Sequence, residues 1–205
     1  ELGWVALWLQ SILRSSTENV INSITRTHIG HVQVFRPRYF EDKELKATFP
    51  SKRSAVEQYL RPGVLIAERI NLPALVSSGE QSVPAMLIGV DPMSEKQFTT
   101  ISSFVKEGSY LTAESDGECA ERQAVIGKGL AKTLNVELGH KIVVLANAAD
   151  GTMGSELLRV KGIFDSGSAD FEKTVLYTTM GCVRKIGLLE GVHELAVRLP
   201  SSAGD

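Results

Sequence analysis

The apolar residues Leu2, Val5, Ala6, Leu9, Leu13, Val20 and Ile24 fall on steps of three and four. That spacing predicts one apolar stripe along a helix reaching to about Thr27. Trp4 and Trp8 stand four residues apart on one face near its start. They suit either packing on the protein's own core or the headgroup depth where indoles collect beside a membrane. Residues 29–35 then alternate, around Gly30, His31, Val32, Gln33, Val34 and Phe35, and predict a strand that ends at Arg36-Pro37. After a polar stretch, residues 54–60 predict a short helix closed by Arg61-Pro62-Gly63. Residues 64–75 are extended, with Pro73 marking an edge or a bend, and residues 81–90 form another strand stopped by Asp91-Pro92.

A helical period returns over residues 94–105, with Glu107-Gly108 as the turn that ends it. Residues 124–127 form a short strand that runs into a helix over 128–134, with Leu130 and Leu134 on one face. Residues 141–146 and 157–164 are two strands joined through Asp150-Gly151, a dipeptide that tolerates positive φ. A strand over 175–178, a helix over 180–186 and an alternating strand over 193–199 complete the chain. Strands interspersed with helices, together with hairpins, predict an α+β fold with a mixed sheet and not a doubly wound parallel one.

The chain has 205 residues, 43% of them hydrophobic and 22% charged, with a net charge of -2. That is enough for a sizeable core. The charges are mixed along the chain and supply no basic face for a run of phosphates, so nucleic acid is not an expected partner. No stretch reaches the roughly 20 apolar residues needed to span a bilayer. The start lacks the basic region and small-residue cleavage site of a signal peptide, and a chain beginning at Glu1 reads as an excised fragment or a processed product. Cys119 and Cys182 are the two cysteines. They read as two inert buried thiols, with a bridge in an oxidising compartment as the alternative.

Catalytic chemistry finds no constellation. Gly127-Lys128-Gly129 with Thr133 is not a phosphate loop, because the lysine precedes the second glycine and has no Ser or Thr beside it. Gly127 is better read as allowing close backbone approach at a strand-to-helix turn. His28 and His31 have a spacing that could share a metal on a helix, but Gly30 and the strand pattern intervene, leaving His31 as a solvent-facing strand residue. Asp165, Asp170 and Glu172 crowd a Gly/Ser loop and read as solvated charges, weak calcium binding being the alternative. No metal ligand, cofactor-binding residue or catalytic residue is assigned.

Five blocks, in order, carry a resemblance. They are Gly30-His31-Val32-Gln33-Val34 after the long helix, then Ile66-Ala67-Glu68-Arg69-Ile70, then Gly89-Val90-Asp91-Pro92 with Glu95. Next come Val125-Ile126-Gly127-Lys128-Gly129-Leu130-Ala131 with Leu134-Asn135-Val136 and Leu138-Gly139-His140-Lys141. Last are Val160-Lys161-Gly162-Ile163-Phe164 with Ser166-Gly167, and residues 191–199. Together they resemble the extracytoplasmic, periplasmic core domain of ABC-transporter permeases of the MacB, FtsX-like and lipoprotein-releasing (LolC/LolE) group. His140 departs from the acidic residue usual there, and the family continues beyond the last strand with a further helix and strand.

The resemblance implies a stalk helix over residues 1–28 that continues a transmembrane helix. It implies a membrane-proximal, porter-like subdomain from residues 29–105 plus 193–205, and a distal, sabre-like subdomain inserted over 106–192. It also implies a non-catalytic role at the inner membrane, on its periplasmic side. ATP would be hydrolysed by a separate cytoplasmic subunit or domain, and the permease would be a homo- or heterodimer that handles a lipoprotein or other hydrophobic substrate, with a periplasmic adaptor as a further partner. The expected contacts with a partner stalk or the bilayer edge are Trp4, Trp8, Leu9, Leu13, Val20 and Ile24, with core packing as the alternative. A free-standing periplasmic lipid or ligand carrier is the rival function.

Overall fold

Strand β2 (Leu65–Ser77) is the spine of the computed structural model, which describes residues 32–37, 39, 45–51, 53–59, 61–79, 81–113 and 119–199. Along one edge it pairs with β3 (Ser82–Val90) from Arg69↔Val90 to Ser77↔Ser82. Its other edge is shared. Residues 65–69 pair with β9 (Glu194–Arg198), and residues 75–77 pair with β6 (Lys141–Asn147). Ser78 N donates to Gln81 O, which puts the β2–β3 hydrogen-bonded pairs on even-numbered residues of β2. The nitrogen of Pro73 therefore faces the shared edge, in the gap between β9 and β6, where its missing N–H breaks no ladder bond. The bend expected at Pro73 is this change of partner.

The remaining strands are β1 (Val32–Phe35), β4 (Val105–Gly108), β5 (Gln123–Gly127), β7 (Met153–Phe164) and β8 (Val175–Thr179). The sheet runs β1-β9-β2-β3-β8-β5-β7-β4, and β6 pairs with both β2 and β7. Six strands, β2, β3, β8, β5, β7 and β6, thus hydrogen-bond in a closed circuit. β3–β8 and β5–β7 are parallel and the other pairs antiparallel, which is the mixed sheet expected.

The helices are α1 (Arg53–Glu57), α2 (Pro92–Phe98), α3 (Ile101–Phe104), α4 (Lys128–Leu134), α5 (Ala169–Thr174) and α6 (Met180–Gly187). Leu130 and Leu134 of α4 and Val183 and Ile186 of α6 pack against Leu72, Leu87, Ile126, Val144 and Leu158 on one face of the circuit. Ile101, Leu111, Phe164 and Tyr177 pack with Ile88, Val90 and Val125 on the other. Strands β5 and β8, covered on both faces, are buried at every residue, so their sequences are apolar runs without alternation.

Three expectations are corrected. The helix expected over 94–105 is two short helices, because Thr99 at φ -117 and ψ 167 ends α2, and its N–H closes back on Glu95 O. Glu107-Gly108 belongs to β4, paired with β7, and is not a turn; only its last residue, Gly108 at φ +75, leaves the extended region. Cys119 and Cys182 are not separate thiols but a disulfide, with Cα atoms 4.3 Å apart, joining the segment before β5 to α6. The long N-terminal helix expected up to Thr27 lies outside the described residues.

Candidate functional site

The site assembles where β1, the first described element, joins the sheet. β1 pairs with β9, and β9 pairs with β2, so Phe35, Glu194 and Arg69 lie side by side across three strands. Gln33 is two residues back on β1, on the same face as Phe35, and therefore meets Glu194 diagonally. Gln33 Nε2 donates to Glu194 Oε1 at 2.8 Å. Arg69 Nη1 donates to the same oxygen at 3.0 Å, and Asn71 Nδ2 reaches Glu194 Oε2 at 3.3 Å.

α2 brings the second carboxylate. Asp91 accepts from Ser94 N and caps the helix, and Pro92 opens it with a preset φ, which places Glu95 one turn in, over β2. Glu95 takes Arg69 in the bidentate mode, Nη2 to Oε1 at 2.8 Å and Nε to Oε2 at 3.1 Å. The Phe98 ring lies 5.4 Å from the Arg69 guanidinium and 5.6 Å from that of Arg198. Arg69 is fully buried and Glu95 and Glu194 nearly so. Burial alone would depress the guanidinium's pKa; Glu95 and Glu194 more than reverse this and hold it above its ordinary value.

His193 completes the cluster. Its Nδ1 accepts from Asn71 N at 3.1 Å, and its Nε2 lies 2.9 Å from Leu45 O, a pairing that requires the neutral ring with the proton on Nε2. Burial lowers its pKa, partly opposed by the bond to Leu45. Tyr39 packs 5.8 Å from His193 and 4.9 Å from Phe35, tying the segment after β1 to the same place. Each ionised group here is held by a partner, so the arrangement fastens strands and presents no nucleophile or base to a substrate.

Other candidates are absorbed into structure. A Cβ at Gly127 would lie 2.1 Å from the Glu172 carbonyl oxygen, so the glycine does permit a close backbone approach. Lys128 Nζ pairs with Asp165 at 2.6 Å. Glu172 is not a solvated loop charge: it is buried in α5, and its Oε1 accepts from Ser166 N at 2.7 Å and Gly167 N at 2.9 Å. Among the described residues no group of three or more His, Cys, Asp or Glu side chains is placed to hold a metal, and no helix is long and apolar enough to cross a membrane.

The expected contact residues Trp4, Trp8, Leu9, Leu13, Val20 and Ile24, and the pair His28 and His31, lie outside the described residues. The structure brings together a different set: Gln33, Arg69, Glu95, His193 and Glu194. Its signal in the sequence was the charged and polar run Glu68, Arg69 and Asn71 inside a mainly apolar strand, and Glu194 at the head of the last one.

Residues 5–204 match the MacB-like periplasmic core domain. The chain is 26% identical over 126 residues to the lipoprotein-releasing system transmembrane protein LolC of Xylella fastidiosa, covering 59% of this chain and 30% of that protein. It is 29% identical over 86 residues to LolE of Haemophilus influenzae, covering 42% and 20%. The chain thus spans less than a third of the length of these curated relatives. Its fold is similar to the extracellular domain of the noncanonic ABC-type transporter YknZ from Gram-positive bacteria, with a TM-score of 0.57 and 16% identity over 83% of each chain. With the family match covering almost the whole chain, the protein belongs to the MacB-like periplasmic core domain family.

Proposed function

We propose that this chain is the extracytoplasmic domain of an ABC-transporter permease, and that it couples ATP hydrolysis by a cytoplasmic subunit or domain to the handling of a lipoprotein or other hydrophobic molecule at the inner membrane. In this reading residues 1–28 are a stalk continuing a membrane helix and meeting a second permease subunit through Trp4, Trp8, Leu9, Leu13, Val20 and Ile24. Residues 29–105 with 193–205 form the membrane-proximal subdomain, and 106–192 the distal one.

The observation that carries the reading is the fastening of β1 to the sheet. A strand that directly follows a moving stalk has to transmit displacement without sliding, and the part-buried hydrogen bond from Gln33 to Glu194, set against the buried pairs of Glu194 and Glu95 with Arg69, resists sliding because breaking it leaves the nearly buried Glu194 carboxylate one donor short. The Cys119–Cys182 disulfide supports placement outside the cytoplasm, where reducing systems do not open such bridges.

The test uses the full-length permease with its ATPase. Gln33→Leu should leave ATP hydrolysis within about twofold and cut substrate transport at least tenfold. Transport unchanged in that variant, or a full-length gene with no apolar spans of about 20 residues flanking this segment, would remove the reading.

A further inference from the structure

The outer face of the closed circuit carries a pair of cations that no packing requirement explains. Lys141 of β6 stands directly opposite Arg159 of β7. Arg159 N donates to Arg122 O, away from β6, while the next residue, Val160, bonds to His140 O. Lys141 and Arg159 are therefore a non-hydrogen-bonded pair, the kind whose side chains approach most closely, and like charges so placed repel. Neither makes an ion pair with a carboxylate among the described residues. Arg159 Nη1 donates to Gly139 O at 2.9 Å, leaving its other N–H groups unengaged by described residues.

These cations do not serve as caps for the neighbouring helix. Three of the last four carbonyls of α4 are already taken: Ala131 O by Val136 N, Lys132 O by Asn135 N and Leu134 O by Ser78 Oγ. Lys141, Arg159 and His140 instead line, together with Ser78 and Asn135, an open cleft of about 500 Å3. His140 Nδ1 accepts from Glu137 N at 3.2 Å, which leaves Nε2 as the outward donor. The nearest acidic side chain along this loop, Glu137, lines the adjacent cleft and not this one.

The same face turns apolar within one register step. Side chains two apart on a strand share a face, so Val143 and Leu145 follow Lys141, and Leu157 precedes Arg159. Val143 pairs with Leu157, and Leu145 with Leu75 of β2. Leu75 is 44% exposed and Leu157 37% exposed, and Val143 and Leu145 are half-buried between them. The sheet interior is on the opposite face, where Ile142, Val144 and Leu158 are buried.

We infer that this face binds a single anionic amphiphile, its phosphate or carboxylate head held by Lys141, Arg159 and His140 and its acyl chain laid along Val143, Leu145, Leu157 and Leu75. An anionic head answers the unneutralised cation pair, and an apolar tail answers the strip that begins beside it. The inference goes beyond the coupling reading and concerns binding by this chain alone, so it stands or falls whether or not the permease reading holds.

The test is an NMR titration of the 205-residue chain with dodecyl phosphate below its micelle concentration, alongside inorganic phosphate and the uncharged dodecyl maltoside as controls, and in a separate series with an acidic peptide. Saturable shifts at Lys141, Val143, Leu157 and Arg159 are expected, with an affinity at least tenfold tighter than for either control. Leu157→Ser should weaken binding several-fold. Lys141→Glu should lose binding at least tenfold while keeping or raising the melting temperature, since it turns a repelling pair into an attracting one; a purely structural role for Lys141 would lower it. Equal affinity for inorganic phosphate, equal affinity for the maltoside, undiminished binding by Lys141→Glu, saturation only by an acidic peptide, or no saturable binding would each overturn the proposal.

Discussion

Arg69 and Glu194 face each other across two antiparallel strands, and their 3.0 Å contact is buried on every side. Removing the cation leaves Glu194 and Glu95 as two uncompensated buried carboxylates. Arg69→Met should therefore lower unfolding stability by about 3–5 kcal/mol, measured by urea or guanidinium unfolding. Glu194→Gln, which keeps a hydrogen-bonding side chain for Arg69 and Asn71, should lose much less. Equal losses in the two variants would show that packing volume and not charge sets the effect.

The Cys119–Cys182 bridge closes a separation of 63 residues that includes β5, α4, β6, β7, α5 and β8. Constraining an unfolded loop of that size contributes about 4 kcal/mol in the chain-entropy account. Replacing both cysteines by alanine should lower stability by about that amount, and wild-type protein unfolded in dithiothreitol should converge on the variant. A wild type insensitive to reductant across the whole transition would contradict the bridge's stabilising role.

His193 gives a sign to the pH dependence. Its folded pKa is lowered, chiefly by burial, whereas in the unfolded chain it titrates near 6.5. The folded state therefore binds fewer protons, and its stability, full above about pH 6.5, falls as the pH drops below that value toward the folded pKa. Melting temperatures at pH 7.5 and 5.5 should show the loss. His193→Gln should be less stable at pH 7.5 but show a smaller drop between the two, because the residue that must charge on unfolding is gone.

Gly127→Ala tests the close approach of α5 to the β5–α4 turn. A methyl at that position meets the Glu172 backbone, which cannot swing aside as a side chain would. The expected loss is about 1–3 kcal/mol, read from thermal unfolding. A neutral substitution would mean that α5 shifts away without penalty.

The strands around Ile66, Ile126, Val160 and Leu195 could be read from local pattern, because alternation, apolar runs and Gly or Pro stops are set by neighbours one to four residues away. So could the close approach at Gly127 and the hairpin through Asp150-Gly151. The split of the helix after Phe98 could not, since Thr99 leaves the helical region without a proline or glycine to announce it. Nor could the state of Cys119 and Cys182, because their Cα distance depends on where α6 docks against the segment before β5.

The charged cluster marks the same boundary. Local spacing alone put Arg69 in a strand and Glu95 in a helix beginning after the Asp91-Pro92 stop, but the partners of Arg69 lie 26 and 125 residues away, and no periodicity reaches that far. Pattern along the chain determined the α+β class and the order of most elements, and the five motif blocks carried the resemblance to the family. That the polar residues became a buried network was decided by β9 and α2 packing on β2, that the two cysteines met by where α6 docks, and which face of the β6–β7 hairpin stayed open by β6 closing the circuit between β2 and β7, because such distant pairings set what is inside and what is left to water.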